Sequence, residues 1–201
     1  MKTIRPAELE DLGRIADLHL EVFPLAFLTD LGRPFVLRMY RLFLQPPRCC
    51  FFVCIVDGKV IGFAVGLPAD DSRNWRLAAR ELPWFAVASL GAFVRSPFSV
   101  AKKLLARFFS VDGEPDYSRQ SFLLRSIGVS ERFRGSGVAR DLLLALESAA
   151  ADMGAISVVL TTDAEDNEGA ISFYSKMGYW RLGEFLQDGR RRMLVLEKSL
   201  R

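Results

Sequence analysis

The feature that most restricts this chain is a glycine-bearing loop set between a strand and a helix. Residues 122–129, Phe-Leu-Leu-Arg-Ser-Ile-Gly-Val, are apolar and β-branched enough to read as a strand. Arg134-Gly135-Ser136-Gly137-Val138-Ala139 comes next, then a helical stretch to Met153 that Gly154 closes. The helical spacing predicts a buried stripe of Leu142, Ala145, Leu146, Ala149 and Met153. Residues 156–162 read as a second strand, and a helix in the connection makes the pair parallel with a right-handed crossover.

The rest of the chain builds outward from that unit. Residues 3–5 read as a short first strand. A helix over residues 9–23 carries Leu12, Ile15, Ala16, His19 and Phe23 on one face, and Pro24 ends it. A second helix over 34–44 stops at Pro46-Pro47. Residues 50–56 and 60–67 flank Asp57-Gly58, the strongest short hairpin signal. Residues 168–177 form a helix closed by Gly178, and residues 179–186 and 191–198 form a last hairpin around Asp188-Gly189. The order predicts an α/β (α+β) domain, a mixed sheet with helices on its faces. At 201 residues, one domain with an embellishment accounts for the length.

Composition closes several routes. The formal net charge of +3 is too small to mark nucleic acid as a general partner. Cys49, Cys50 and Cys54 lie together in an apolar run, with no second Cys/His cluster to complete a zinc site, and read as core thiols. His19 is the only histidine, which leaves His-based triads and multi-His metal sites little to stand on. No metal is expected. The N-terminal residues lack the apolar core of a signal peptide, and the 13-residue uncharged run 82–94 is too short to span a bilayer. A cytoplasmic location is expected.

Glycines at 135 and 137 let backbone N–H groups turn toward one point, and the helix start adds unpaired donors and partial positive charge. Such a nest suits a pyrophosphate without a metal, and Arg134 would add a charge-assisted contact. A phosphate-binding Gly-Lys-Ser/Thr tripeptide does not follow, and Arg140 stands where a dinucleotide fingerprint needs its third glycine. Taken alone, the loop is also compatible with a plain tight turn.

A second segment decides how the first is read. Arg134-Gly135-Ser136-Gly137-Val138-Ala139 fits the pattern Arg/Gln-x-x-Gly-x-Gly/Ala at every specified position, and Asn167-Glu168-Gly169-Ala170-Ile171-Ser172-Phe173-Tyr174-Ser175-Lys176-Met177-Gly178-Tyr179 follows it in order. Together they resemble the GNAT superfamily of acyltransferases, over roughly residues 1–67 and 119–201. The resemblance implies a mostly antiparallel sheet with a splayed parallel pair. It implies acetyl-CoA as acyl donor, its pantetheine arm held by main-chain groups at Ile127 and Val129. The amides of residues 135–140 (Gly135, Ser136, Gly137, Val138, Ala139 and Arg140) would hold the pyrophosphate. A strand N–H near Ile127 would stabilise the oxyanion, and Tyr174 would serve the departing thiolate. Asn167 would contact CoA or cap its helix.

The resemblance also exposes a gap. Many family members carry a glutamate base on the strand before the glycine loop, and residues 122–129 contain no carboxylate. A water chain, Asp163 or Glu21 would have to serve. The missing base motivates a rival reading, a non-catalytic acyl-CoA-binding or membrane-associated module; the retained Tyr174 speaks against it. No suitably placed Cys-His pair is visible, which favours direct attack by a primary amine in a ternary complex.

Residues 68–118 interrupt two strands that a short turn would normally join, a length that is functional or independently structured. Ser96-Pro97 opens a helix to about Phe109. Residues 72–110 carry +6 of net charge, leaving −3 for the remainder. This basic, aromatic-rich insertion reads as a helical lid or a homodimer contact, as a lid over a phosphate-bearing acceptor such as a nucleotide-linked amino sugar, or as a peripheral surface for anionic membrane. The apolar loop 23–32 is expected to wall an acceptor pocket or to pack helices.

Overall fold

The computed structural model describes residues 2–24, 27–44, 49–69, 117–187 and 191–200. Residues 45–48 and 188–190, and residues 70–116, on which the expected insertion helices and the expected lid, dimer or membrane surface fall, lie outside the described residues.

The chain opens with β1 (Lys2–Pro6), a 3₁₀ turn at Leu9–Asp11 and helix α1 (Leu12–Val22). Asp11 ties these together. Its carboxylate accepts from the Glu8 amide at 2.8 Å and from the Arg5 guanidinium at 2.7 and 2.9 Å. A short helix α2 (Phe27–Asp30), unread in the sequence, precedes α3 (Arg33–Phe43). Gly32, with φ at +87°, turns the chain into α3, and Pro34 occupies the first turn, where its missing N–H costs nothing.

Strands β2 (Cys50–Val56) and β3 (Lys59–Pro68) form the expected hairpin, with Asp57 and Gly58 both at positive φ. Then come β4 (Ser121–Val129), a 3₁₀ turn at Glu131–Phe133, α4 (Val138–Asp152), β5 (Ser157–Asp163), α5 (Glu168–Lys176), β6 (Trp180–Gln187) and β7 (Arg191–Ser199). The seven strands make one sheet in the order β1-β2-β3-β4-β5-β7-β6. Every pairing is antiparallel except β4 with β5. The mixed, mostly antiparallel sheet with one parallel pair is the expected class.

Alternating side chains feed two layers. On one face Leu12, Ile15, Ala16, Val36 and Tyr40 of α1 and α3 pack on Phe51, Val53, Phe63 and Val65. On the other, Leu142, Leu143, Leu146 and Ala150 of α4, with Tyr174 of α5, pack on Ala64, Leu124, Val158 and Leu160. Each fully buried aliphatic side chain contributes on the order of 1.5–3 kcal/mol. The α4 stripe is rotated from the expected one: Leu143, Glu147 and Ala150 are buried, whereas Ala145, Ala149 and Met153 are half-buried. Glu147 tolerates burial because the Tyr179 hydroxyl donates to one carboxylate oxygen at 2.9 Å and Lys198 Nζ to the other at 2.6 Å. Two of the three cysteines are core thiols as read: Cys50 and Cys54 are buried, whereas Cys49 is half-buried at the edge, and burial pushes the Cys50 thiol up to about 12.

Candidate active site

The site begins where the parallel pair separates. β4 and β5 pair from Ser121 with Ser157 to Leu124 with Leu160 and no further, although β4 continues to Val129 and β5 to Asp163. The cause is visible on the other edge of β4. Val65 faces Ser126 but Gly66 faces Leu124, so Arg125 is an extra residue, a β-bulge. A bulge bends its strand and ends regular pairing. The strand therefore leaves β5 one residue after the last pair.

The gap exposes backbone groups. The Ser130 amide donates to the Ile61 carbonyl of β3 at 2.9 Å. By the two-residue alternation of a strand, the polar groups of Gly128 also face β3, and those of Ile127 and Val129 face the gap. An extended chain laid there would meet both residues named from the sequence.

The glycine loop closes the end of the gap. Gly135 and Gly137 have φ of +76° and +81°, values that favour glycine. Gly137 is the N-cap of α4, with no side-chain cap. Ser136 turns back, its amide and hydroxyl meeting the Phe133 carbonyl at 3.3 and 2.5 Å. The first helical bond runs from the Asp141 amide to the Gly137 carbonyl, leaving the amides of Gly135, Gly137, Val138, Ala139 and Arg140 with no acceptor among the described residues. That is an anion nest at a helix N-terminus. Arg134 is exposed beside it, 3.2 Å from Glu131 in a surface pair that holds it weakly.

Tyr174 lies on α5, 7% exposed, against Phe173 and Tyr179. Burial pushes its phenol well above the usual range, and the hydroxyl makes no hydrogen bond to a described residue. Asn167 occupies the N-cap position of α5 without capping it. Its side-chain amide donates instead to Thr162 Oγ1 at 2.6 Å and to the Asp163 carbonyl at 3.3 Å, binding the end of β5 to the start of α5. The capping role is thereby corrected: the side chain is drawn to the strand end.

The carboxylates separate clearly. Arg191 grips both oxygens of Asp163 through Nε and an Nη, so Asp163 is occupied. Glu21 of α1 reaches the end of β4, where Ser130 Oγ donates to it at 2.7 Å. Sequence reasoning missed one feature altogether. His19 Nδ1 lies 2.8 Å from the Tyr40 hydroxyl, which lies 3.1 Å from Ser126 Oγ beside the bulge. No spacing rule connects positions 19, 40 and 126.

Comparison with known proteins fits this geometry. Residues 102–179 match the model of the Acetyltransferase (GNAT) family. The chain is 33% identical over 184 residues to N-acetyltransferase 8 of Rattus norvegicus, covering 85% of this chain and 76% of that protein. Among solved structures it is similar to the ribosomal-protein-S18-alanine N-acetyltransferase from Escherichia coli, with a TM-score of 0.62, 15% identity and coverage of 100% and 94% of the two chains. It is also similar to yncA from Salmonella typhimurium with its cofactor acetyl-CoA, with a TM-score of 0.63, 16% identity and coverage of 100% and 95%.

Proposed function

The chain belongs to the acetyltransferase (GNAT) family, and on that premise we propose that it transfers an acetyl group from acetyl-CoA to a primary amine by direct attack in a ternary complex. The observation that carries this reading is the gap between β4 and β5, opened by the Arg125 bulge and ended by the unpaired amides at the start of α4. Ile127 and Val129 would hold the pantetheine arm, and the amides of Gly135 and Gly137 to Arg140, with Arg134, the pyrophosphate. Ser136 would join only by releasing Phe133. Asn167 would accept from the bound donor through its free carbonyl oxygen.

Acetyl-CoA supplies an activated thioester, so the protein has three tasks: to steady the oxyanion, to receive the amine's proton and to stabilise the thiolate. The Ile127 N–H faces the gap and meets the first. For the third, a thiol of pKa about 8.5 cannot be fully protonated by a phenol of about 10 without an uphill cost near 2 kcal/mol. Burial widens that difference at Tyr174. Tyr174 therefore serves as a hydrogen-bond donor to the sulfur, with transfer completed late. For the second, Asp163 is occupied by Arg191, which leaves Glu21 at the end of β4, or water held near it.

The acceptor is a primary amine of a small molecule or glycan precursor, with amino sugars the first to try. The Escherichia coli neighbour is named for an alanine of a ribosomal protein, so this fold alone does not select the acceptor. Free CoA released from acetyl-CoA in the presence of a panel of amino sugars, polyamines and peptide N-termini tests the reading. Amine-dependent release supports it. Binding of acetyl-CoA with no release across the panel favours the non-catalytic module instead.

A further inference from the structure

We propose that Ser126 is a second hydrogen-bond donor to the acyl oxygen of the bound thioester, and that Tyr40 and His19 are positioning residues that fix the direction of its hydroxyl. The inference rests on the proposed function, since it concerns the same acyl site.

The chain of contacts is buried at its far end and open at its near end. His19 on α1 is 4% exposed and Tyr40 on α3 is fully buried, while Ser126 on β4 is partly exposed beside the bulge. His19 Nδ1 and the Tyr40 hydroxyl are 2.8 Å apart, and the Tyr40 hydroxyl donates to Ser126 Oγ at 3.1 Å. Among the described residues, His19 Nε2 is the buried side-chain nitrogen or oxygen with no partner.

That orphan sets the direction. If Tyr40 donated to His19, neutral imidazole would carry its proton on Nε2, and a buried N–H would have nowhere to donate. Orphaned buried donors are rarer than orphaned acceptors. The proton therefore sits on Nδ1, which donates to Tyr40, and Tyr40 donates to Ser126. Burial holds the imidazole neutral, its pKa lowered to about 4, and keeps the Tyr40 phenol protonated.

A serine that has accepted a hydrogen bond keeps its own O–H to give, and no described residue receives it. Bonds aligned donor to acceptor polarise one another, so the last O–H is the strengthened one. Ser126 adjoins Ile127, whose N–H faces the gap, so two donors stand on neighbouring residues of the part of β4 released from β5. No bond is made or broken by Ser126. The amine nitrogen bonds the acyl carbon, its proton leaves by the route above, and the C–S pair departs with the thiolate.

The test needs no acceptor. Acetyl-CoA labelled with carbon-13 at the carbonyl is bound to the wild-type protein, to Ser126→Ala and to Tyr40→Phe, with affinity measured alongside. The expected result is a downfield carbonyl shift on binding that falls back toward the free value in both variants, while affinity changes less than about threefold, under 1 kcal/mol. Nitrogen-15 histidine labelling gives a single imidazole, because the chain has one histidine, and should show a neutral ring protonated on Nδ1. An unchanged carbonyl shift in Ser126→Ala, or a ring protonated on Nε2, overturns the inference while leaving the acetyltransferase intact. Failure of the folded wild-type protein to bind acetyl-CoA is a different result, and it removes the proposed function itself.

Discussion

Gly62 on β3 lies directly beneath Val138, the first residue of α4: a Cβ on the glycine would stand 2.9 Å from Val138 Cγ1 and 3.0 Å from Leu142 Cδ1. The missing side chain sets how closely the start of α4, and so its row of unpaired amides, approaches the sheet.

Replacing Gly62 with Ala should therefore lift the helix start and destabilise the fold by about 1–3 kcal/mol, the usual cost of overpacking. Val138→Ala removes the nearest of the atoms in conflict and leaves Leu142 Cδ1, so the double variant should recover part of the loss and be more stable than the two single effects added together. Urea unfolding of the four proteins checks the coupling. Strict additivity would mean the two residues do not share the contact.

Tyr174→Phe separates chemistry from folding. The hydroxyl has no described partner, so unfolding stability should change by less than about 0.5 kcal/mol, as for substitutions that break no specific contact. Turnover should fall by roughly 100-fold, the low end for a positioned proton donor, with the KM for acetyl-CoA nearly unchanged. Steady-state kinetics on an accepted amine gives both parameters. Undiminished turnover would remove Tyr174 from the mechanism.

His19 should make the protein acid-sensitive. Its folded pKa of about 4 lies below the ordinary 6.5. As pH falls from 6.5 toward 4, the unfolded chain takes up a proton that the folded chain refuses, so stability declines across that window and is unaffected above it. Tyr40 is the titratable group bonded to the ring, and its raised pKa keeps it out of the window. Between pH 7 and pH 5 the loss should be about 2 kcal/mol, measured by urea unfolding, and His19→Gln should lack it. An equal pH slope in that variant would place the sensitivity elsewhere.

Much of this architecture is legible in the chain. Apolar β-branched runs mark the strands, and Asp57-Gly58 and Gly178 stand where the backbone turns to positive φ. What escaped has identifiable causes. The bulge at Arg125 sits in Leu124-Arg125-Ser126-Ile127, with no glycine or proline to flag it, and exists only in the pairing with β3. Glu147 looks solvent-facing in a periodicity reading because its partners, Tyr179 and Lys198, come from distant segments. Asn167 looks like a cap, but its side chain is turned to donate to Thr162 and Asp163 across the loop and makes no cap bond. Single residues that act through neighbours remote in the chain leave no local signature, and the His19, Tyr40 and Ser126 chain is the clearest instance.

The central claim is that the loop at Gly135–Gly137 and the opened β4 edge hold acetyl-CoA. Calorimetric titration of the purified protein with acetyl-CoA, wild type against Gly137→Glu, tests it most directly. A Cβ at Gly137 meets nothing within 4 Å, so the substitution should cost only the left-handed backbone, about 1–2 kcal/mol, and leave a folded protein by circular dichroism. The expected result is micromolar binding by the wild type and none by the variant, whose carboxylate stands among the amides meant for phosphate. A folded wild type that does not bind, or a variant that binds equally well, would contradict the account.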